Sequence, residues 1–201
     1  KIGLELITEG KRPGIRALKE ASGVDGQLID SFKASFCLIP RINAAGRIAS
    51  ALDAVELLLA ESMEEARPLA EKLDLYNRRR QAMERDILND ILERLKARPD
   101  LENINALVFS SEKWHPGVVG IVASRLVDLY SRPAFVISEK DGVGKGSGRS
   151  VSDFNIHKGL QQCASLLLSY GGHYRAAGIS IKEDDIDEFA CMLDDIISCT
   201  M

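Results

Sequence analysis

From Ala51 to about Ala97 one pattern governs the chain. Leu69, Leu73, Tyr76, Met83, Ile87, Ile91 and Leu95 recur at spacings of three, four or seven, with charged residues between them. An apolar stripe at that period marks an amphipathic helix. A helix of this length fixes the organisation, because every other element must come before it or after it. Pro68 is expected to kink or divide it. "ARPDLENIN" (97–105) breaks the pattern, and the main boundary is placed there.

Upstream, residues 1–35 read as short helices. Leu4, Ile7, Ile15 and Leu18 are the apolar positions, Pro13 suits a helix start, and Gly10, Gly23 and Gly26 punctuate. "CLIPRINAAGRIAS" follows as a loop-like passage around Pro40, Asn43 and Gly46. Downstream the texture changes. "NALVFS", "AFVIS" and "ISI" read as strands, and "IVASRLVDLYS", "NIHKGLQQCASLLLSY" and "DDIDEFACMLDDIIS" as helices. "WHPGVVG" is a loop that opens the first of these helices. "GVGKGSGRS" reads as a strand becoming a loop, and "GGHYRAAG" as a turn. Strands alternating with helices predict an α/β fold, a mixed sheet flanked by helices.

Composition removes several function classes. With 26 Lys and Arg against 30 Asp and Glu, the net charge is −4, which excludes a uniformly basic nucleic-acid binder but allows a local basic patch. Cys37, Cys163, Cys191 and Cys199 form no CxxC pair, and three histidines give no zinc-type spacing. Free thiols in a reducing compartment follow as the simplest expectation. There is no secretory pattern and no membrane-length apolar run, so a cytoplasmic setting and no membrane partner are expected. The chain starts with Lys inside an amphipathic pattern, which reads as a piece of a longer protein. No HExxH, no Ser-His-Asp order and no Asp/His cluster with metal spacing is present, so nothing here looks able to activate water, and no metal ligand is assigned.

Four stretches carry groups suited to anions. In "GKGSGRS", Gly148 and its neighbours allow close backbone approach, Ser147 and Ser150 can donate to phosphate oxygens, and Arg149 can pair with a phosphate through two N–H groups. No Walker spacing is present, and a surface glycine hairpin explains the composition as well. In "SYGGHYRAAG", Gly171 and Gly172 suit a helix C-terminus, and His173 can be structural or point into a cleft. In "WHPGVVG", Trp114 and His115 precede a Pro-Gly helix start that can offer N–H groups to an anion, or Trp114 can simply plug the sheet edge. In "PRINAAGR", Arg41 and Arg47 can clamp a backbone, or the loop can merely pack Ala44 and Ala45. "NRRR" (77–80) reads as a solvated helix face.

Taken in order, "PRINAAGRI", "WHPGVVGIVASRL", "GKGSGRS" and "GGHYRAAG", together with "LDLYNRRRQAMERDIL" on the long helix, resemble the RecJ family of single-stranded-DNA-specific 5′→3′ exonucleases, of the DHH phosphoesterase superfamily. The resemblance implies three parts: residues 1–50 as the C-terminal tail of a truncated DHH domain, 51–100 as a connecting helix, and 101–201 as the DHH-associated domain. It implies manganese or magnesium in the intact enzyme, held upstream of this chain, single-stranded DNA as partner, and no hydrolysis by the chain alone. By position it implies Ser147, Gly148, Arg149 and Ser150 as the pocket for a 5′-phosphate, and His173, on Gly171-Gly172, as the catalytic group facing the scissile phosphate. Trp114 and His115 would shape the cleft floor, and Arg41 and Arg47 would touch the strand's backbone. Two rivals stand beside it: an oligoribonuclease or nucleotide phosphatase of the same superfamily, similar in the "GGH" element, against which "WHPGVVG" with "GSGRS" favours RecJ, and a non-catalytic nucleic-acid-binding module, since DHH-associated domains also resemble the RNA-binding part of alanyl-tRNA synthetases.

Overall fold

The computed structural model describes residues 2–97 and 103–200; the boundary expected within 97–105 thus falls largely outside the described residues. The chain divides into two compact units, Lys1–Ala82 and Met83–Met201.

The first unit is helical: α1 (Ile2–Glu9), α2 (Pro13–Ala21), α3 (Ser31–Lys33), α4 (Ile39–Ile48), α5 (Leu52–Leu59) and the first part of α6 (Met63–Lys96). A π-helical turn, Ala34–Leu38, joins α3 to α4. "PRINAAGR" is therefore helix and not loop. Pro40 stands at the start of α4, directly after the π-helical turn Ala34–Leu38, and Ala44 and Ala45 are fully buried. The break in the long helical stretch lies at residues 60–62, and Pro68 stays within α6. Ser62 explains the start: its hydroxyl accepts from Glu65 N (3.2 Å), and the Glu65 carboxylate accepts from Glu61 N (3.1 Å), a variant of the capping box. Leu18, Ile29, Leu57 and Leu73 centre the core of this unit.

The second unit holds one five-stranded sheet in the order β1-β2-β3-β5-β4, with β1 Leu107–Ser111, β2 Ala134–Lys140, β3 Val143–Arg149, β4 Leu167–His173 and β5 Ala176–Lys182. β1 and β2 are parallel, as their connection through α7 (Val119–Tyr130) requires; the other pairs are antiparallel. Asp141 (φ 53°) and Gly142 (φ 76°) turn β2 tightly into β3. α7 packs on β2 and β3. The opposite face is closed by α8 (Ile156–Gln162) and α9 (Ile186–Ser198) around Phe135, Ile137, Ile156, Ile179 and Phe189. Cys163, behind α8, is fully buried, and burial pushes its thiol up to about 11; all four cysteines are free.

Two expectations change here. "SLLLSYGGH" is not the end of a helix: α8 stops at Gln162, and Gly171 and Gly172 lie inside β4, paired with Gly178 and Ala177. "GVGKGSGRS" stays a strand to Arg149, and its glycines answer to the core. A Cβ on Gly144 would sit 2.7 Å from Ile137 Cγ2, on Gly146 2.7 Å from Ile179 Cγ1, and on Gly148 2.4 Å from the Phe135 ring. Every second residue of β3 is glycine because large side chains from β2 and β5 occupy that face. Gly148→Ala is expected to cost about 2 kcal/mol through overpacking. Urea denaturation checks this, and a loss within error of zero would refute it.

Candidate nucleic-acid interface

Strand pairing fixes which residues share the α7 side of the sheet, because directly paired residues point the same way. Arg149, Ala176 and His173 form one row across β3, β5 and β4; Ser147, Gly178 and Gly171 form the next; Lys145, Ser180 and Ser169 the third. The register puts rows about 7 Å apart along the strands, and Arg149 and His173, two strands apart, about 10 Å from each other at the backbone.

α7 covers only the β2–β3 half of this face. On the β5–β4 half, Gly178 and residues 168–173 are exposed. The result is an open floor of Ala176, Gly178 and Gly171 with almost no side chains. Ser147 and Arg149 stand on one side of it and His173 on the other.

The Ser147–Arg149 side is preorganised. Arg149 Nη1 donates to Ser147 Oγ (3.0 Å) and to the Gly148 carbonyl (2.8 Å). The first turn of α7 lies directly against the pair: a Cβ on Gly120 would be 2.8 Å from Ser147 Oγ and 3.3 Å from Arg149 Nη2. Helix N-termini carry partial positive charge and unpaired N–H groups, so this corner favours an anion. His115, just before α7, accepts from Gly117 N at Nδ1 (3.1 Å), which leaves its Nε2 as the donor. His173 is exposed, with Nδ1 accepting from Arg175 N (3.4 Å).

Other expected residues have structural duties. Ser150 is buried, and its hydroxyl donates to Phe154 O (2.8 Å), so it is not available to a phosphate. Gly148 faces the core and does not face the floor. Trp114 is 5 % exposed and anchors the β1–α7 loop, with Nε1 donating to Asp90 Oδ2 (3.1 Å) and its carbonyl accepting from Ser138 Oγ (2.6 Å). Arg41 and Arg47 lie on α4 in the first unit. The Arg41 guanidinium donates to Asp74 Oδ1 (2.9 Å) and to the Cys37 carbonyl, while Arg78 holds Asp74 Oδ2 (2.7 Å). One residue of "NRRR" thus shares an acid with Arg41. Arg47 is exposed in the last turn of α4.

Sequence reasoning missed Lys145. It is exposed in the row beyond Ser147. The alternation in "VGKGSGR" is the signal: odd positions 143–149 carry the side chains and even ones are glycine. Among the described residues, no group of three or more His, Cys, Asp or Glu side chains is placed to hold a metal ion. Nor is any helix among them long and apolar enough to cross a membrane.

Residues 103–198 match the DHHA1 domain. Along its whole length the chain is also similar to RecJ proteins. It is 39 % identical to the single-stranded-DNA-specific exonuclease RecJ of Bacillus subtilis, over all of this chain and 25 % of the relative. It is 38 % identical to that of Escherichia coli, over 93 % of this chain and 34 % of the relative. The crystal structure of RecJ in complex with Mg2+ from Thermus thermophilus superposes with a TM-score of 0.86 at 34 % identity, over 98 % of this chain and 30 % of that one. A further RecJ structure from the same organism is in complex with Mn2+. The chain spans about a quarter to a third of the length of these curated relatives. The DHHA1 sheet described above is therefore the RecJ-type fold, and the expected mixed sheet flanked by helices stands.

Proposed function

We propose that this chain is the strand-holding part of a single-stranded-DNA-specific 5′→3′ exonuclease that serves DNA repair and recombination in the cytoplasm. The observation that carries the reading is the open face of the DHHA1 sheet: an arginine–serine pair under a helix N-terminus, a floor without side chains, and a histidine across it. Ser147 and Arg149 take the 5′-terminal phosphate, the arginine through two parallel N–H groups. The Ala176–Gly178–Gly171 floor admits a sugar–phosphate backbone. His173 hydrogen-bonds the scissile phosphate and stabilises the charge that builds there. A clamp on the end measures out the bond to be cut. Phosphate contacts carry no base information, which suits an exonuclease indifferent to sequence.

The metal-binding part of this reading lies outside the chain. The described residues of this chain do not fit a metal site. We place manganese or magnesium on an upstream DHH domain, with residues 1–50 as that domain's tail, 51–100 as the connecting helix and 101–201 as the DHHA1 domain.

The experiment is binding by the 201-residue chain to fluorescently labelled single strands with 5′-phosphate or 5′-hydroxyl ends. The phosphorylated end is expected to bind about tenfold or more tightly, since charged hydrogen bonds of this type contribute roughly 1.5–3 kcal/mol. The affinity should fall with salt and ignore base composition. Equal affinity for both ends would overturn the reading.

A further inference from the structure

The loop that carries Trp114 and His115 is tied to α6 by a three-residue clasp. Asp90 and Arg94 stand four residues apart on α6. Arg94 donates to both Asp90 oxygens, Nη2 to Oδ2 at 2.9 Å and Nε to Oδ1 at 3.3 Å, and its third contact, Nη1 to Ser110 O at 2.9 Å, reaches the end of β1. Asp90 Oδ2 also accepts from Trp114 Nε1 at 3.1 Å, and the guanidinium lies over the indole ring, 5.0 Å from its centroid.

An i,i+4 ion pair exposed at about 40 % on both partners (42 % and 41 %) stabilises a fold very little. What distinguishes this pair is its third member. The arginine fork fixes the carboxylate, and the carboxylate fixes the indole of a tryptophan that is otherwise buried. Across the ring, Ser138 of β2 holds the Trp114 carbonyl. The loop is gripped from two elements at one residue.

The grip lies six residues from the phosphate corner. After Trp114, His115 takes the Gly117 N–H, and Val118 N donates to His115 O at 3.0 Å. α7 begins at Val119, and Gly120 sits against Ser147 and Arg149 with no room for a methyl group. α7 itself packs on β2 and β3, and the loop held at Trp114 leads straight into the first turn that covers the pair, so a shift of the loop reaches that turn first.

We infer that Asp90 and Arg94 are positioning residues for the Ser147–Arg149 phosphate pocket, acting through Trp114; this rests on the function proposed above. A displacement of about 1 Å at a site that measures a phosphate is enough to lose much of its effect.

The test uses the 201-residue chain, whose single tryptophan reports on the clasp directly. Wild type, Asp90→Asn and Arg94→Gln are compared for affinity to 5′-phosphorylated and 5′-hydroxyl single strands, for indole emission and for thermal melting. Both variants are expected to lower the ratio of the two affinities about fivefold to tenfold, leave 5′-hydroxyl binding nearly unchanged, and shift the emission. If melting falls while the ratio stays at the wild-type value, the clasp is structural only and the inference is overturned. If wild type itself shows no preference, the proposed function fails first and the inference falls with it. Should Asp90→Asn not fold, Trp114→Phe carries the test through the affinity ratio alone, because it removes the donor to Asp90 together with part of the ring and the emission signal; an unchanged ratio in that variant overturns the inference equally.

Discussion

Gly14→Ala is expected to destabilise the first unit by about 3 kcal/mol or more, the upper end of what one added methyl group costs in a packed interior. A Cβ at Gly14 would lie 1.8 Å from Leu57 O and 2.8 Å from Leu57 C. Both are backbone atoms, so no side-chain rotation relieves the clash. α2 and α5 would have to separate, and the gap would open beside Leu18, Leu57 and Leu73, each no more than 1 % exposed. Gly3 is the control: nothing lies within 4 Å of its Cβ position, and α1 should gain roughly 0.5–1 kcal/mol of helix propensity from Gly3→Ala. Thermal melting followed by circular dichroism reads both. A fall on the order of 10 °C is expected for Gly14→Ala. A melting temperature equal to wild type would mean that the two helices are not held at this distance in solution.

Gly14 also shows where reading the sequence stops. Pro13 marks a helix start from local chemistry alone, but the demand for glycine one residue later comes from the backbone of Leu57, far along the chain. The same limit governs β3. Glycine at alternate positions fits a flexible loop as well as a close-packed strand, and only Phe135, Ile137 and Ile179 on neighbouring strands decide between them. Likewise, Pro40, Asn43 and Gly46 look like a loop in isolation, yet Pro40 stands at the start of a helix and two buried alanines hold the turn. Legible features were those with a long period. Leu73, Ile87, Ile91 and Leu95 recur over the length of α6 and are all buried. The strands β1 and β2 announce themselves as short apolar runs. At the candidate site, Ser147, Arg149 and His173 were legible from their motifs, and strand register brings them onto one face. Ser150 and Trp114 carry the same local signature but are spent on internal hydrogen bonds, which local sequence does not reveal.

Arg149→Ala is expected to remove most of the preference for a 5′-phosphorylated end, with little effect on the fold. The side chain is half-buried, and two of its partners, Ser147 Oγ and the Gly148 carbonyl, keep their places in β3 without it. A charged hydrogen bond contributes on the order of 1.5–3 kcal/mol, which is about tenfold to a hundredfold in binding or in kcat/KM. The loss should be larger for 5′-phosphate than for 5′-hydroxyl ends, since only the former presents a doubly charged group. Arg149→Lys should rescue poorly, because an ammonium cannot reproduce the planar fork. The preference also has a predicted pH dependence. The second ionisation of a terminal phosphate lies near pH 6, so the ligand carries close to two charges above that value and one below it. Wild type should therefore discriminate best above about pH 7 and less as pH falls through roughly 6, while Arg149→Ala stays flat. Paired 5′-phosphate and 5′-hydroxyl strands, titrated against both proteins between about pH 5 and 8, measure all of this. If the variant loses equally on the two ends at every pH, Arg149 holds the strand without sensing its end, and the measuring role passes to another group on the same face, with Lys145, one row beyond Ser147, the first to examine.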